Sequence, residues 1–276
     1  MRLNRFLASC GLGSRRACEE IVAQGRVFIN GEPVSNLATR VSDGDVVQVD
    51  GRKVRASVAT TIILKKPPGF LCTRHDELEE GRDTIYELLP ENLKSLHYVG
   101  RLDKDSEGLL ILTNSGDLTE KLTHPRHGIE KEYLVAVDRV FDAERDRAAM
   151  LQGFDIEGGF ARAVAIGIEA PRVISIVLTQ GIKRQIRLMF EHLGYEVRRL
   201  ERIRIGAFTA PELKTGRWRV LTENEIRQLS DRFLPGRSKP ARKRSSQSSS
   251  SATAENRQSR APSRRADDSQ PDRNRH

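Results

Sequence analysis

The clearest element that the apolar pattern of this chain predicts is a strand buried on both faces. Residues 109–112 read Leu-Leu-Ile-Leu, with Gly108 before them and Thr113-Asn114 after them. A short apolar run between turn residues favours a buried strand over an amphipathic helix. Residues 101–103, Arg-Leu-Asp, open a polar loop just before this run, so we expect Asp103 to lie in a loop fixed between two strands.

The first fifty residues carry a different pattern, which predicts two short helices followed by a small sheet. Apolar residues within 3–7 fall on one helical face, and the serine that opens 14–24 can cap a second helix. Residues 27–29 and 46–49 predict strands, and the Asn-Gly pair at 30–31 predicts a tight hairpin turn. A core of this size is marginal, so it benefits from a ligand or a neighbouring domain.

In the remaining chain, predicted strands outnumber helices, and the helices follow the strands irregularly. The pattern predicts strands at 62–64, 130–137, 173–178 and 201–206, and helices at 84–89, 118–123, 141–152 and 223–233. This order does not fit an alternating parallel α/β fold. We therefore expect an α+β protein with a mostly antiparallel mixed sheet and an active-site cleft across it.

Charge is distributed unevenly along the 276 residues. The chain has a net charge of +9, of which residues 236–276 contribute +7 and residues 1–56 contribute +3, so the part between them is close to neutral at −1. Two basic outer segments around a near-neutral body suggest a polyanionic partner that is held from outside the active site. The alternative for 236–276 is a solubilising disordered tail, because apolar residues almost vanish there.

Other features exclude several classes of protein. No apolar run approaches the roughly 20 residues that a membrane span needs, and the N-terminus has no apolar region typical of a secretory signal. The three cysteines, Cys10, Cys18 and Cys72, show no metal-binding spacing and no disulfide framework. We therefore expect reduced thiols, a cytoplasmic location and no membrane association.

One long motif gives the chain a recognisable chemistry. Residues 100–114 read Gly-Arg-Leu-Asp-Lys-Asp-Ser-Glu-Gly-Leu-Leu-Ile-Leu-Thr-Asn, and Lys-Pro-Pro-Gly stands at 66–69. Both stretches resemble signatures of the ribosomal RNA pseudouridine synthases of the RsuA/RluB/RluF type. The resemblance implies that Asp103 is the catalytic residue. The plainer alternative is a loop carboxylate that pairs with Arg101.

Two further motifs of the same family imply partners for Asp103. The Lys-Glu-Tyr at 131–133 resembles the stretch that supplies an active-site aromatic, which implies this role for Tyr133; a strand tyrosine packed in the core is the alternative. Residues 180–190 resemble the third signature, although Gln180 replaces the usual glutamate. The basic position of that motif falls on Arg187, whose guanidinium would pair with Asp103, keep it ionised and orient it.

The N-terminal segment resembles the S4-type RNA-binding domain in its order of elements and in its motif Gly-Ser-Arg-Arg-Ala-Cys at 13–18. Basic side chains around helix starts can bind phosphates, and the lack of a set of stacking aromatics favours recognition of folded RNA. An ordinary charged helix face is the alternative. The residues expected to contact RNA are Arg2, Arg5, Ser14, Arg15, Arg16, Arg26 and Arg101.

Together these patterns predict an S4-type domain at 1–48, a linker at 49–60, a catalytic domain at 61–235 and a disordered basic tail at 236–276. The resemblance implies that the protein isomerises a uridine to pseudouridine in ribosomal RNA, or in an assembling ribosomal subunit. We expect it to be a monomer. The RluB-like pairing of N-terminal module and tail favours the large-subunit 23S RNA. No metal or organic cofactor is expected, because nothing is oxidised and no group is brought in.

Three alternatives remain open from the sequence. The chain could be a non-catalytic RNA-binding assembly factor whose large domain is only a scaffold. It could perform the same chemistry on 16S ribosomal RNA or on tRNA. It could also be a hydrolase with a carboxylate pair formed by Asp103 and Asp105, although no other part of the sequence presents a glycosidase pattern.

Overall fold

A computed structural model describes residues 1–74, 76, 78 and 80–231 of the chain. The N-terminal segment contains two helices and a four-stranded antiparallel sheet with the strand order β2-β1-β3-β4. Its elements are α1 (Leu3–Ser9), α2 (Arg15–Ala23), β1 (Val27–Ile29), β2 (Glu32–Pro33), β3 (Val47–Val49) and β4 (Arg52–Lys53). The two helices and the strands β1 and β3 are those that the apolar pattern predicts. Strands β2 and β4 were not predicted, and β4 corrects the linker expected at 49–60, because Arg52 and Lys53 pair with β3.

Local chemistry explains where these small elements start and stop. The Ser14 hydroxyl accepts a hydrogen bond from the Ala17 amide at 3.1 Å and caps α2. Asn30 and Gly31 both have positive φ, at 54° and 88°, as a type I′ turn requires between β1 and β2. The helices and the sheet share a buried cluster formed by Leu3, Leu7, Cys18, Val22, Val27, Val41, Val47 and Val49.

A nine-stranded mixed sheet dominates the rest of the described chain. Its central strand order is β11-β12-β8-β13-β7-β5-β15, with β6 paired to β7 and β14 paired to β13. The strands are β5 (Thr61–Lys66), β6 (His97–Val99), β7 (Glu107–Thr113), β8 (Lys131–Val137), β11 (Ala165–Ala170), β12 (Val173–Leu178), β13 (Val197–Ile205), β14 (Phe208–Thr209) and β15 (Trp218–Val220). Among the strands of the described residues, the β13–β7 pair alone is parallel, which confirms the predicted α+β fold.

Helices and a hairpin surround this sheet. They are α3 (Gly116–Thr123), α4 (Ala143–Gln152), the hairpin strands β9 (Phe154–Ile156) and β10 (Gly159–Ala161), α5 (Gln185–His192) and α6 (Glu223–Gln228). The hairpin and β11 were not predicted. The helix expected at 84–89 is a 3₁₀ turn over Ile85–Leu88, and β13 begins at Val197, four residues before the predicted start.

The C-terminal part of the predicted organisation is only partly described by the structure. The helix predicted at 223–233 is shorter than expected, because α6 ends at Gln228 and a turn follows at Leu229 and Ser230. The basic tail predicted at 236–276 lies outside the described residues. Within the described part of the chain, no helix combines the length and the apolar character that crossing a membrane requires.

The predicted apolar run forms β7, and every residue of that strand is buried. Its two faces contribute to different clusters: Leu110 and Leu112 join one, while Leu109 and Ile111 join the other. Burial on both faces explains why the sequence is continuously apolar there rather than alternating. The strand therefore gives a rigid support for the polar loop that precedes it.

One row of residues crosses four strands of the sheet and positions the candidate site. Lys66 pairs with Gly108, Gly108 with Arg202, and Arg202 with Tyr133. Paired residues on neighbouring strands direct their side chains to the same face. Gly108 is required here, because a Cβ at this position would lie 2.3 Å from the Arg202 carbonyl oxygen, and φ is +106°.

Candidate functional site

Asp103 lies in the loop between β6 and β7, as the sequence predicts. Its side chain is half-buried, and its carbonyl oxygen accepts the Ser106 amide at 3.1 Å in a tight turn. Among the described residues, the Asp103 carboxylate makes no hydrogen bond and no ion pair, and Arg101 is exposed. The alternative of an Asp103–Arg101 pair is therefore absent from this part of the structure.

Lys66 holds the Asp103 loop, a role that the sequence analysis missed. It is fully buried at the end of β5, and its Nζ donates to four main-chain carbonyls: those of Pro67 at 3.0 Å, Asp103 at 3.1 Å, Lys104 at 3.0 Å and Ser106 at 2.7 Å. Burial lowers the pKa of Lys66. One ammonium group thus fixes the path of the loop on both sides of Asp103.

The two-residue alternation along β5 indicates in the sequence that Lys66 is buried. Ile62, Leu64 and Lys66 lie two residues apart, so all three belong to one face of the strand, and the first two are fully buried. Lys65 belongs to the other face and forms an ion pair with Glu201 at 3.0 Å. Adjacent lysines therefore have opposite environments, which the period of a strand predicts.

Arg187 lies beside the same loop, but the predicted ion pair with Asp103 is not formed. Its Nη1 donates to the Val197 carbonyl at 3.0 Å, and its Nη2 donates to the Asp105 carbonyl at 3.4 Å. Its Nε is buried and has no hydrogen-bond partner among the described residues. The reason for this correction is geometric: Arg187 sits in the first turn of α5, and two main-chain carbonyls occupy the ends of its guanidinium fork.

Tyr133 lies half-buried on β8, in the row that also contains Arg202 and Gly108. Its side chain packs against two clusters on the same face of the sheet, one around β7 and β5 and the other around β12 and α5. The ring therefore lies at the boundary between two packed regions. This position brings Tyr133 to the same face as Lys66, which holds the Asp103 loop.

Arg202 is a second residue near the site that no sequence motif identified. It is 3% exposed, its Nε donates to the Leu109 carbonyl at 2.7 Å, and its Nη2 is buried without a hydrogen-bond partner among the described residues. The charge of Arg202 reaches the thiol of Cys72, whose pKa is raised by burial. Through its bond to Leu109, Arg202 lies beside the start of β7, the strand that follows the Asp103 loop.

Gln180, where the sequence departs from the family signature, has a structural role. Its Oε1 accepts the Gln185 side-chain amide and the Arg162 main-chain amide, both at 3.1 Å, while its Nε2 donates to the Phe160 carbonyl at 3.1 Å. An amide can accept and donate in this way, whereas an ionised glutamate could only accept. The replacement therefore ties the start of α5 to the β9–β10 hairpin.

The N-terminal basic residues separate into two groups. Arg2, Arg5 and Arg15 line a pocket of about 350 Å³ together with Met1 and Arg40. Main-chain pairing of Arg2 with Arg40 closes one side of this pocket. Arg40 was not predicted, because it lies in an irregular segment with no sequence signal beyond its charge.

The other predicted RNA contacts lie elsewhere. Arg26 forms a two-pronged ion pair with Asp50, at 2.8 and 2.6 Å, and Ser14 is engaged as the cap of α2. Arg16 is exposed but does not line the pocket. Arg5 also forms an ion pair with Asp117 of α3, so it contacts the large domain while it lines the pocket.

Comparisons with known proteins agree with both parts of the chain. The family described as RNA pseudouridylate synthase matches residues 60–192, and the S4 domain matches residues 1–47. The Dual-specificity RNA pseudouridine synthase RluF of Escherichia coli K12 is 40% identical over 232 residues, which cover 83% of this chain and 78% of that protein.

Two more relatives extend the comparison. The Ribosomal large subunit pseudouridine synthase B of Bacillus subtilis is 32% identical over 83% of this chain and 95% of its own length. A solved structure, described as the crystal structure of pseudouridylate synthase, has a TM-score of 0.60 and 29% identity, and covers 83% of this chain and 99% of that one.

Proposed function

The chain belongs to the RNA pseudouridylate synthase family and carries an S4 domain, and on this premise we propose that it converts a uridine of ribosomal RNA to pseudouridine with Asp103 as its catalytic residue. The observation that carries the assignment of Asp103 is its loop, which Lys66 fixes through carbonyls on both sides of the carboxylate. A half-buried carboxylate that has no partner among the described residues can contact a substrate.

The proposed reaction is an isomerisation. The C1′–N1 glycosidic bond breaks, the uracil turns within the site, and C5 bonds to C1′, while C5 loses a proton and N1 gains one. Asp103 starts this sequence, and Tyr133 contacts the uracil ring. The base must leave its stack to reach a side chain on the sheet, so base flipping is expected. Arg187 would support the loop through the Asp105 carbonyl rather than by touching Asp103.

The large-subunit 23S RNA is the proposed substrate, free or in an assembling subunit, and the protein is proposed to act in the cytoplasm as a monomer. The relatives named for RluF and for large-subunit pseudouridine synthase B support this substrate class. The arginine-lined pocket supports a phosphate contact outside the catalytic domain, because exposed guanidiniums bind polyanions through their phosphates.

The domain organisation belongs to the same proposal. An RNA-binding domain at 1–48 and a catalytic domain at 61–235, joined by a linker at 49–60, would divide affinity from chemistry. The separate sheets of the two regions support this division, although β4 extends the first sheet as far as Lys53, within the proposed linker. The basic tail at 236–276 would add further, less fixed phosphate contacts.

Mapping pseudouridine across 23S, 16S and transfer RNA, after incubation with the purified protein, tests the function. We expect one or a few uridines of 23S RNA to be converted by the wild type and none by Asp103→Asn, which keeps the shape but loses the charge. Asp105→Asn is the matched control, because it removes an exposed carboxylate of the same loop and should keep activity within a few-fold.

Each alternative gives a different result in this experiment. Conversion only in 16S or transfer RNA would replace the substrate and keep the chemistry. Binding without any pseudouridine would favour the assembly factor, and release of a free base or a cut strand would favour the hydrolase. Near-normal turnover by Asp103→Asn would remove Asp103 from the catalytic role.

A further inference from the structure

Two cations beside Tyr133, the buried Arg202 and the half-buried Lys131, have no carboxylate partner among the described residues. Arg202 is 3% exposed, and its one hydrogen bond within the described part of the chain goes to the Leu109 carbonyl. Lys131, two residues before Tyr133 on β8, donates to the Ile129 carbonyl at 3.1 Å and to no other described group. A buried charge is costly unless something balances it. The two side chains are close enough for the charge of Arg202 to act on Lys131.

The lack of a partner is not due to a lack of nearby carboxylates. Glu130 and Glu132, on either side of Lys131, both bond to Arg204, the latter at 2.6 Å. On the other side of the row, Glu107 and Glu201 are both held by Arg199. These four glutamates therefore pair with arginines other than Arg202. No carboxylate among them pairs with Lys131 or Arg202.

The position of the pair relates it to the substrate rather than to the folding of the sheet. Arg202 is the Cα partner of Tyr133 on β13, and Lys131 shares a face of β8 with Tyr133. Tyr133 is the residue proposed to contact uracil. A backbone phosphate is a poor counter-ion for this pair, because Arg202 is enclosed and its Nη2 is inaccessible. A flipped base that contacts Tyr133 would come near Arg202 without touching it.

We infer that the positive charges of Lys131 and Arg202 stabilise the negative charge on uracil while its bond to the sugar is broken. This inference rests on the proposed function. When the C1′–N1 bond breaks, its electron pair stays on the uracil ring and spreads to the carbonyl oxygens. The C1′ carbon is left as a positive oxocarbenium centre, which the sugar ring oxygen and the Asp103 carboxylate stabilise until C5 attacks it and both charges are neutralised. The charge exists only between these two steps.

The two residues have different roles in this scheme. Arg202 does not touch the substrate, so it is a positioning residue that acts through its field and through the support it gives to Tyr133 and Gly108. Lys131 is half-buried and closer to the accessible side. Burial and the charge of Arg202 lower its pKa to about 8. A cation in a poorly solvated interior interacts strongly with a transient anion, because little water screens it.

The test compares Lys131→Met, Arg202→Met and the charge-keeping variants Lys131→Arg and Arg202→Lys. Single-turnover cleavage of the C1′–N1 bond is measured at saturating RNA, with uridine or 5-fluorouridine at the target position. Fluorine withdraws electrons, so the fluorinated ring carries negative charge more easily. Lys65→Met is the matched control, because it removes a cation of β5 that has its own carboxylate partner.

We expect both methionine variants to cleave the uridine substrate 10- to 100-fold more slowly, with RNA affinity within about 3-fold of the wild type. The deficit should shrink at least 5-fold with 5-fluorouridine, and the charge-keeping variants should recover most of the rate. A deficit of equal size on both substrates would mean a merely structural role and would overturn the inference, as would unchanged rates.

The controls distinguish a failure of the proposed function from a failure of the inference about Lys131 and Arg202. If the wild type forms no pseudouridine at all, the proposed function fails, whatever the variants do. If the wild type is active and the variants match it, only the inference fails. Should Arg202→Met not fold, Lys131→Met decides alone, because its side chain is less enclosed and its removal disturbs the sheet less.

Discussion

The N-terminal segment and the large sheet both collect basic side chains, but they hold them in opposite ways. Arg2, Arg15 and Arg40 surround an open pocket on the surface. Lys66 and Arg202 lie inside the sheet and donate to main-chain carbonyls. An exposed guanidinium is available to phosphates and is screened by salt, whereas a buried cation orders the groups around it. The first set should therefore control affinity and the second set should control rate.

The largest expected effect comes from Lys66→Met, which removes one donor from four carbonyls. Those of Asp103 and Lys104 keep a main-chain N–H partner, from Ser106 and Gly69. We expect a loss of about 4 kcal/mol in the free energy of unfolding, since each buried acceptor left unpaired costs roughly 1–3 kcal/mol. Chemical denaturation measures this loss, and Lys65→Met should cost less than about 1 kcal/mol. Equal effects of the two variants would contradict the difference between the fully buried Lys66 and the half-buried Lys65, which has a carboxylate partner.

The next effect concerns Gly108→Ala, which places a methyl group 2.3 Å from the Arg202 carbonyl oxygen in the parallel β13–β7 pair. We expect a destabilisation of about 3 kcal/mol from overpacking and from the unfavourable positive φ. Gly128→Ala is the control, because its φ is also positive, at 57°, while the space around it is open. A thermal melt of each variant is sufficient, and equal melting temperatures would mean that the close strand contact is not tight.

Arg187 gives a smaller effect that distinguishes loop support from direct charge pairing. Because its Nη atoms bond to the carbonyls of Val197 and Asp105, we expect Arg187→Ala to lower the single-turnover rate about 10-fold, or about 1.4 kcal/mol. Arg187→Lys keeps the charge but cannot reach both carbonyls, so it should recover little of this loss. Full recovery of the rate by Arg187→Lys would contradict loop support and favour the ion pair with Asp103 that the sequence predicts.

The smallest effect is expected in the N-terminal segment. Arg40→Ala should weaken binding to a ribosomal RNA fragment a few-fold and should reduce the slope of log K against log salt by roughly 0.7 to 0.9, the value of one phosphate contact. Arg26→Ala should change the slope less, because Asp50 already occupies its guanidinium. A salt titration compares them, and a larger change for Arg26 would move the RNA surface away from the pocket.

Much of this arrangement is encoded in patterns that a sequence displays directly. The apolar run at 109–112 became β7, and Asn30-Gly31 became the hairpin turn that its residues require. The signature around Asp103 predicted a loop between two strands. In each of these cases, the deciding interactions lie between residues that are close along the chain, so local chemistry determines the outcome.

What the sequence could not reveal depends on pairing between distant strands. A register shift in the pairing of β13 with β8 lies between Arg202 and Arg204, and both are 3% exposed, which a simple alternation does not predict for neighbouring charged positions. The contacts of Arg187 depend on where α5 begins relative to the Asp103 loop, 82 residues away. Motifs identify such residues, but only the three-dimensional structure determines what they touch.

The most direct test of the division between affinity and rate is a single-turnover titration of ribosomal RNA, which yields a dissociation constant and a limiting rate of pseudouridine formation together. For the double variant Arg15→Ala, Arg40→Ala, the account predicts a dissociation constant raised at least 5-fold with a limiting rate within 2-fold of the wild type. For Lys131→Met we expect the dissociation constant to stay within about 3-fold of the wild type and the limiting rate to fall 10- to 100-fold. Proportional changes in both quantities for both variants would contradict the account.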